Sequence, residues 1–433
     1  MPSKQADVLI IGAGPVGLFT ALRLGQASVR VVVIERDPAV LQLPRSCGYY
    51  PIIQFAFHDA GIYETILQRG GFLTTGMDWR RNPTKDGAGG KKAGELVGGM
   101  PKNDRLNING PPGSGTLNMP QPKLCQIMLE EATKLESVRV HFNTELVGIH
   151  NGEEDSSVTI ETKDVTTGDK KSFSGQYLVG ADGGKSKTRA LLEIPFSGHT
   201  WPEKLLATDV WLMNYEESPL TTTYLLDPVH YTVITPLTRP VTGGKSMWRI
   251  AFALDPDETR SNEELLSDEN MYSHYDRIWP GPRPLPFQIE NRTTYIIHQR
   301  LAATMRRGRC VLAGDAAHLV NPMGALGLNT GFLDAIAVSD ALKMILKEGK
   351  EADHVLQIYS DERRKVVQEF VDPTSTYNKL RLHSINIETA ERDDWFFRSL
   401  QDYSSEDFGR YWGRFEHTWP TDMRAMVDKS GCQ

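Results

Sequence analysis

Asp315 stands where a bound group could be held. It closes a short apolar run, residues 310–314, of strand type and length, and Ala316 and Ala317 after it leave room for something to approach the backbone. The following loop, residues 319–328, carries Pro322, Gly324 and Gly327, so its path is partly stiffened and partly free to take positive φ, as backbone lining a ligand often must. Asn329 or Thr330 is expected to cap a helix whose apolar positions Ala335, Val338, Leu342 and Ile345 bury one face and which runs out near Gly349. Free amides and the positive dipole end at its start suit an anion, or a ring on which negative charge develops. By itself the same physics also fits a glycine-rich turn into an ordinary core helix.

Two other stretches repeat this strand–acid–glycine pattern. An apolar strand, residues 7–11, leads into GAGPVG (residues 12–17), a helix over 18–24, and a second strand over 30–34 that ends at Glu35. In this setting Gly12 makes the tight turn, Gly14 lets backbone approach a pyrophosphate and Gly17 lets helix pack on strand. Glu35 lies about 20 residues on, placed to accept from a ribose diol and to repel a 2′-phosphate, so FAD or NAD fits here and NADP does not. The second stretch is an apolar strand over residues 177–182, ending at Asp182, then GGKS and a short basic helix through Arg189.

The intervening chain must position these turns. A helix is expected over residues 53–69, and Arg45 just before it has no obvious structural partner. Residues 80–119, rich in glycine and proline, read as a long loop of the lid kind. A helix over 121–135, a strand over 138–142 and hairpin strands at 158–162 and 172–175 follow. Between residues 201 and 254 the period changes to two, which predicts an antiparallel sheet with one face buried and one free to line a pocket, carrying Tyr224, His230, Tyr231 or Arg249. Residues 289–301 lead back to the Asp315 strand, and residues 353–371 form a charged amphipathic helix stopped by Pro373.

A chain of 433 residues suits two or three packed units. A net charge of -7 argues against nucleic acid or an anionic membrane as the main partner. No run approaches about 18 apolar residues and no signal-peptide pattern precedes the first strand, so a cytoplasmic protein without stable membrane association is expected. Cys47, Cys125, Cys310 and Cys432 are far apart with no ligand spacing, and neither disulfides nor a metal site are expected.

Three such motifs in one chain around an antiparallel sheet are more specific than any one alone. Over roughly residues 7–369 the chain resembles the FAD-dependent aromatic hydroxylases, the single-component flavoprotein monooxygenases, through GAGPVG, YLVGADGGKSKTR and GRCVLAGDAAHLVNPMGALGLNTG. QPKLCQIMLEEA at Gln121 and HQRLA at His298 are similar to signatures of the phenol-hydroxylase branch. The resemblance implies an α/β fold: a Rossmann-like FAD-binding domain made of residues 1–200 and 296–350, an inserted antiparallel β-sheet substrate domain over 201–295, and a C-terminal helical segment over 351–433. It implies that Gly12, Gly14 and Gly17 hold the pyrophosphate, Glu35 with Arg36 the adenosine ribose region, and Arg45 and Gln121 the phosphate and ribityl chain. Asp182 would serve both FAD and a passing nicotinamide, and Asp315 the ribityl chain. Pro322, Gly324, Gly327, Leu328 and Asn329 would lie against the isoalloxazine. NADPH or NADH would reduce the flavin, O2 would add at ring carbon 4a, and the distal oxygen would pass to a phenolic or other electron-rich ring in a protein that is a monomer or homodimer. A dry site and a closing lid are then needed. Tyr231 and His230 are the residues picked for a base. A halogenase on the same fold is disfavoured by the absence of WxWxIP; another flavin oxidoreductase on the fold, such as a reductase, and a flavin-binding protein without turnover that holds a reactive intermediate are the remaining rivals.

Overall fold

A computed structural model describes residues 6–42, 46–101, 107, 109–151, 157–216, 218 and 221–431. The uninterrupted apolar runs Val8–Ile11, Val31–Ile34 and Tyr177–Gly180 are buried along their whole length, as parallel strands covered on both faces must be. They lie in a six-stranded sheet in the order Val138–His141, Val31–Ile34, Val8–Ile11, Tyr177–Gly180, Cys310–Leu312, Arg306–Arg307, parallel except for the last strand. Register matters for the site: Ile11 is level with Ile34 and Gly180, and Gly180 with Leu312. The turns that follow, with Gly12, Glu35, Asp182 and Asp315, therefore line one carboxyl edge of one sheet. Ligands bind at such an edge in open α/β folds.

The period-two region forms an eight-stranded sheet ordered His318–Leu319, Phe287–Ala302, Phe196–Met213, Lys245–Ala253, Thr232–Pro236, Thr222–Leu225, Met77–Arg80, Leu96–Gly99. The last strand comes from the stretch expected to be a lid, residues 80–119, and Met77–Arg80 runs up to where that stretch begins. Met77–Arg80 pairs parallel to Thr222–Leu225 and antiparallel to Leu96–Gly99, so backbone pairing fixes residues 96–99 of that stretch in the sheet. Gly98 packs closely under the C-terminal helices, where a β-carbon would lie 2.8 Å from Leu400 Cδ1. The sheet's far face is covered by the helix Asp268–Ile278, which the sequence reading passed over, and together they bury Phe252, Trp248, Met271, Tyr275 and Trp279.

Two further expectations change. The helix expected over 53–69 is broken into Pro51–Asp59 and Tyr63–Gln68 by Gly61, whose φ is 72°. Pro373 does not stop the helix before it: Ala352–Val366 passes through a π turn, Val367–Val371, into Asp372–His383, and the proline sits in the first turn of that new segment, where it has no helical hydrogen bond to break. Four short helices then wrap back over the sheet junction, ending with Met423–Ser430. Among the described residues no helix is long and apolar enough to cross a membrane, and no cluster of metal-ligating side chains occurs.

Candidate active site

The three glycines of the first turn have different neighbours. At Gly12, with φ 105°, a β-carbon would lie 2.5 Å from the Ala181 carbonyl oxygen, and at Gly17 it would lie 2.0 Å from that of Gly12; at Gly14 it would meet nothing within 4 Å. Gly12 and Gly17 are thus required by packing, while Gly14 faces open space. Gly14 also precedes the helix Pro15–Gln26, which has neither a side-chain cap nor an acid in its first turn. Its orphan amides suit a diphosphate. The Glu35 carboxylate is held by the amides of Ala13 at 2.7 Å and Asp37 at 2.9 Å, while Arg36 is exposed and pairs with Asp37 at 3.3 Å. Gln121 opens the helix Gln121–Thr133, its amide donating to Ser46 O at 2.9 Å. Arg45 lies outside the described residues. These features fit a dinucleotide with an unphosphorylated ribose.

Asp182 does not project freely from its turn. One oxygen accepts from Ser186 Oγ at 2.6 Å and the other from the Thr188 amide and hydroxyl at 2.9 and 3.0 Å, so the carboxylate braces the short helix Lys187–Leu191. Asp315 is exposed at the sheet edge, in the single turn Gly314–Ala316. That turn is anchored from beneath: the Gly314 amide donates to Asp334 Oδ2 at 2.9 Å, which also accepts from His318 Nε2 at 2.7 Å, while Asp334 Oδ1 accepts from Arg363 Nε at 2.7 Å. All three side chains are fully buried. Burial pushes the Asp334 carboxyl up, but Arg363 and His318 outweigh it and hold it below the usual carboxylate range. Sequence reasoning missed this cluster. Its one visible signal is an acid, Asp334, on the otherwise apolar face of the long helix.

The loop after Asp315 is gripped at Gly324. Its carbonyl accepts from Tyr50 Oη at 2.8 Å and its amide donates to Tyr224 Oη at 3.0 Å; its φ is 94°, and a β-carbon there would lie 2.5 Å from Asn378 Nδ2. Asn321 steadies the loop's start, accepting from the Met323 amide and donating to Gln299 Oε1, each at 3.0 Å. The helix begins at Leu326, after Ala325 in the left-handed region, and ends at Gly349. Asn329 and Thr330 therefore lie inside its first turns and do not cap it. Asn329 instead stitches the loop to the chain near residue 50, accepting from the Tyr50 amide at 3.1 Å and donating to Gly48 O at 3.0 Å. Pro322 is exposed, and Gly327 and Leu328 are half-buried.

Against this loop lies a small aromatic pocket. Tyr50, Tyr224 and Gly324 form one side, Met77 and Trp79 of the large sheet a second, and Asn378, Tyr411 and Trp412 of the C-terminal helices the third. Trp79 stacks on Tyr224 with centroids 5.5 Å apart and planes at 11°. The room left is about 10 Å³, enough for roughly one water, so a ring enters only when a wall moves. Of the residues expected on the sheet's pocket face, Tyr224 is there. Tyr231 and His230 are not. The Tyr231 hydroxyl donates to Glu203 Oε1 at 2.7 Å, and Glu203 is ion-paired with Lys379; burial and that carboxylate push the phenol's pKa far up. His230 Nδ1 donates to Ala253 O at 2.9 Å, and Arg249 is paired with the buried Asp209. Trp79, Asn378, Tyr411 and Trp412 went unnoticed because nothing local in their segments marks them.

Residues 5–374 match the FAD binding domain family. The chain is 32% identical over 396 residues to para-nitrophenol 4-monooxygenase of Pseudomonas sp. (strain WBC-3), covering 90% of this chain and 91% of that one. It is 29% identical to 6-hydroxy-3-succinoylpyridine 3-monooxygenase of Pseudomonas putida (strain DSM 28022 / S16), over 88% of this chain and 90% of that one. The crystal structure of p-nitrophenol 4-monooxygenase from Pseudomonas putida DLL-E4 superimposes with a TM-score of 0.76 at 31% identity, covering 98% of this chain and 96% of that one. With the dinucleotide edge, the braced glycine loop and the aromatic pocket in place, the chain belongs to the FAD-dependent aromatic hydroxylases and is an FAD-dependent, NAD(P)H- and O2-using aromatic monooxygenase.

Proposed function

We propose that this monooxygenase acts on a small single-ring phenol, bound in the pocket between Gly324 and the large sheet. The observation that carries the reading is that pocket: aromatic walls from Trp79, Tyr224, Tyr411 and Trp412 beside the loop that, by its family, meets the flavin ring. A relative named for p-nitrophenol supports a one-ring substrate. In this reading residues 1–200 with 296–350 carry the FAD, residues 201–295 contribute most of the substrate sheet and residues 351–433 cover it. The protein works in the cytoplasm as a monomer or homodimer.

The assigned roles follow from placement. The amides after Gly14 hold the diphosphate, Glu35 takes the ribose hydroxyls with Arg36 beside it, and Arg45 and Gln121 reach the phosphate and ribityl chain. Asp315 takes the ribityl hydroxyls. Asp182 shapes its turn through the bonds it already makes, Tyr231 ties the sheet to the C-terminal helices through Glu203 and Lys379, and His230 bonds within the sheet to Ala253 O. Pro322, Gly324, Gly327, Leu328 and Asn329 form the surface under the ring, with the amide end of the helix Leu326–Glu348 favouring negative charge there. FAD, once bound, supplies hydride acceptance and oxygen activation. The chain itself orients the ring and keeps the site dry: Tyr50 and Tyr224 fix the loop, and the aromatic walls exclude water.

The test is direct. Purified FAD-loaded protein is given NADPH or NADH, labelled O2 and a panel of substituted phenols. One labelled oxygen in a ring product, with nicotinamide oxidation stimulated by the same phenol, is expected. Nicotinamide oxidation that yields only hydrogen peroxide with every phenol would overturn the reading.

A further inference from the structure

Gln299, the second residue of the HQRLA stretch, is buried on the strand Phe287–Ala302 and spends its whole amide group. Oε1 accepts from Trp201 Nε1 at 2.7 Å and from Asn321 Nδ2 at 3.0 Å, while Nε2 donates to Asp372 Oδ1 and to Thr376 Oγ1, each at 2.7 Å. Two donors on one side and a carboxylate on the other leave the amide a single orientation. The indole that donates is itself held: Lys379 Nζ lies 3.8 Å from the centre of the Trp201 ring, and Lys379 is ion-paired with Glu203.

The four partners come from three parts of the site. Trp201 belongs to the large sheet. Asn321 opens the loop that carries Gly324 and, through Oδ1, holds the Met323 amide. Asp372 and Thr376 stand one turn apart at the start of the helix Asp372–His383, and two residues further on the same helix brings Asn378 to the pocket, against Gly324. That helix follows the π turn Val367–Val371, where the chain takes up an extra residue and its own ladder constrains the helix least. A pin on the first turn beyond that joint therefore decides where Asn378 lies. A buried polar group with every bond made is stiff, and one with bonds missing is not.

We infer that Gln299 is a positioning residue: its amide holds the glycine loop, the large sheet and the pocket helix at one mutual spacing, and so sets the distance between the flavin ring and the ring to be oxidised. This rests on the reading above that the loop lies under the flavin and that a phenol fills the pocket. Each nicotinamide oxidised spends one O2. In the productive course one oxygen atom goes to the ring and the other leaves as water; in the unproductive course both leave together as hydrogen peroxide. Only the first course needs the two rings in register, and a misplacement of about 1 Å costs a positioned step roughly a hundredfold. Loss of the pin is therefore read as a change of product, with nicotinamide oxidation continuing.

The experiment compares the FAD-loaded wild type, Gln299→Met and the double variant Gln299→Glu with Asp372→Asn. Methionine keeps the length of the side chain and removes all four bonds. The double variant moves one negative charge across a hydrogen bond: the new carboxylate still accepts from Trp201 and Asn321, and the new amide donates to it. With the phenol that the wild type oxygenates best, Gln299→Met is expected to send about fivefold more of the oxidised nicotinamide to hydrogen peroxide while binding that phenol within about threefold of the wild type. Its visible flavin band is expected to be displaced before any phenol is added, and the double variant is expected to restore both band and product. If Gln299→Met does not retain FAD, Thr376→Val, which removes one partner only, is expected to shift both readouts in the same direction. An unchanged product partition and flavin band, even with a lowered melting temperature, or a double variant no better than the single one, would overturn the inference. A wild type that yields only hydrogen peroxide with every phenol would sink the phenol reading, and the flavin bands of the variants would then decide the inference by themselves.

Discussion

Gly14 and Gly17 sit in one turn and separate the two jobs that turn does. An alanine at Gly17 would place its β-carbon on the Gly12 carbonyl, so Gly17→Ala is expected to lower both the melting temperature of the apoprotein and the FAD content after purification. Gly14→Ala meets no protein atom; its apoprotein should melt as the wild type does while FAD affinity, read by fluorescence titration, falls at least tenfold because the methyl occupies space a diphosphate needs. Equal effects of the two substitutions would contradict that division. Tyr231 tests a different kind of claim. Its hydroxyl serves the buried Glu203–Lys379 pair, so Tyr231→Phe is expected to lose about 1.5–3 kcal/mol in urea denaturation, with kcat little changed. A large loss of kcat at unchanged stability would return Tyr231 to the chemistry.

Two helices carry expectations of their own. Asp268–Ile278 covers the back of the large sheet, and its His274, stacked on Phe252 at 3.9 Å, has its pKa pushed down to about 3 by burial and the adjacent Arg277. An unfolded imidazole takes its proton near 6.5, whereas the folded one stays neutral to about 3. Its contribution to stability is therefore complete above about pH 6.5 and erodes as pH falls towards 3. Denaturation midpoints at pH 7.5 and 5 should differ less in His274→Phe than in wild type. The second helix, Glu406–His417, brings Tyr411 and Trp412 to the pocket yet fully buries only Phe415. An element with so little buried surface opens at low cost, and the pocket needs a wall that moves. Hydrogen exchange in this helix should be faster than in Leu326–Glu348, and a bound phenol should slow it; indifference to the ligand would place the moving wall elsewhere.

At the scale of the whole molecule, the cofactor edge and the C-terminal cover are tied through one buried cluster. Arg363 holds Asp334 and donates to Trp419 O at 2.9 Å, while Trp419 packs against Tyr50 and donates to Thr330 Oγ1 at 2.9 Å. Arg363→Met leaves a buried carboxylate short of its cation, with an expected loss of about 3–5 kcal/mol, and should also weaken FAD binding because the Gly314–Ala316 turn is anchored on that carboxylate. FAD at about 100 times its dissociation constant should stabilise the wild type by about 2.7 kcal/mol in thermal unfolding. Sequence alone determined the cofactor edge: GAGPVG with Glu35, the Asp182 turn and the Asp315 loop are each local strand–turn–helix patterns, in which a glycine's steric freedom and an acid's position are set within a few tens of residues. It misplaced what depends on distant neighbours. Residues 80–119 look like a lid until Met77–Arg80, itself laid beside Thr222–Leu225, offers Leu96–Gly99 a ladder to join, and Asn329 looks like a cap until Tyr50 and Gly48 are seen to claim its amide. The pocket itself belongs to the tertiary structure: the sequence marks Tyr224 and Gly324, but Tyr50, Trp79, Asn378 and Trp412 share no spacing with them, and only the pairing of the sheet and the return of the C-terminal helices bring these side chains to one place.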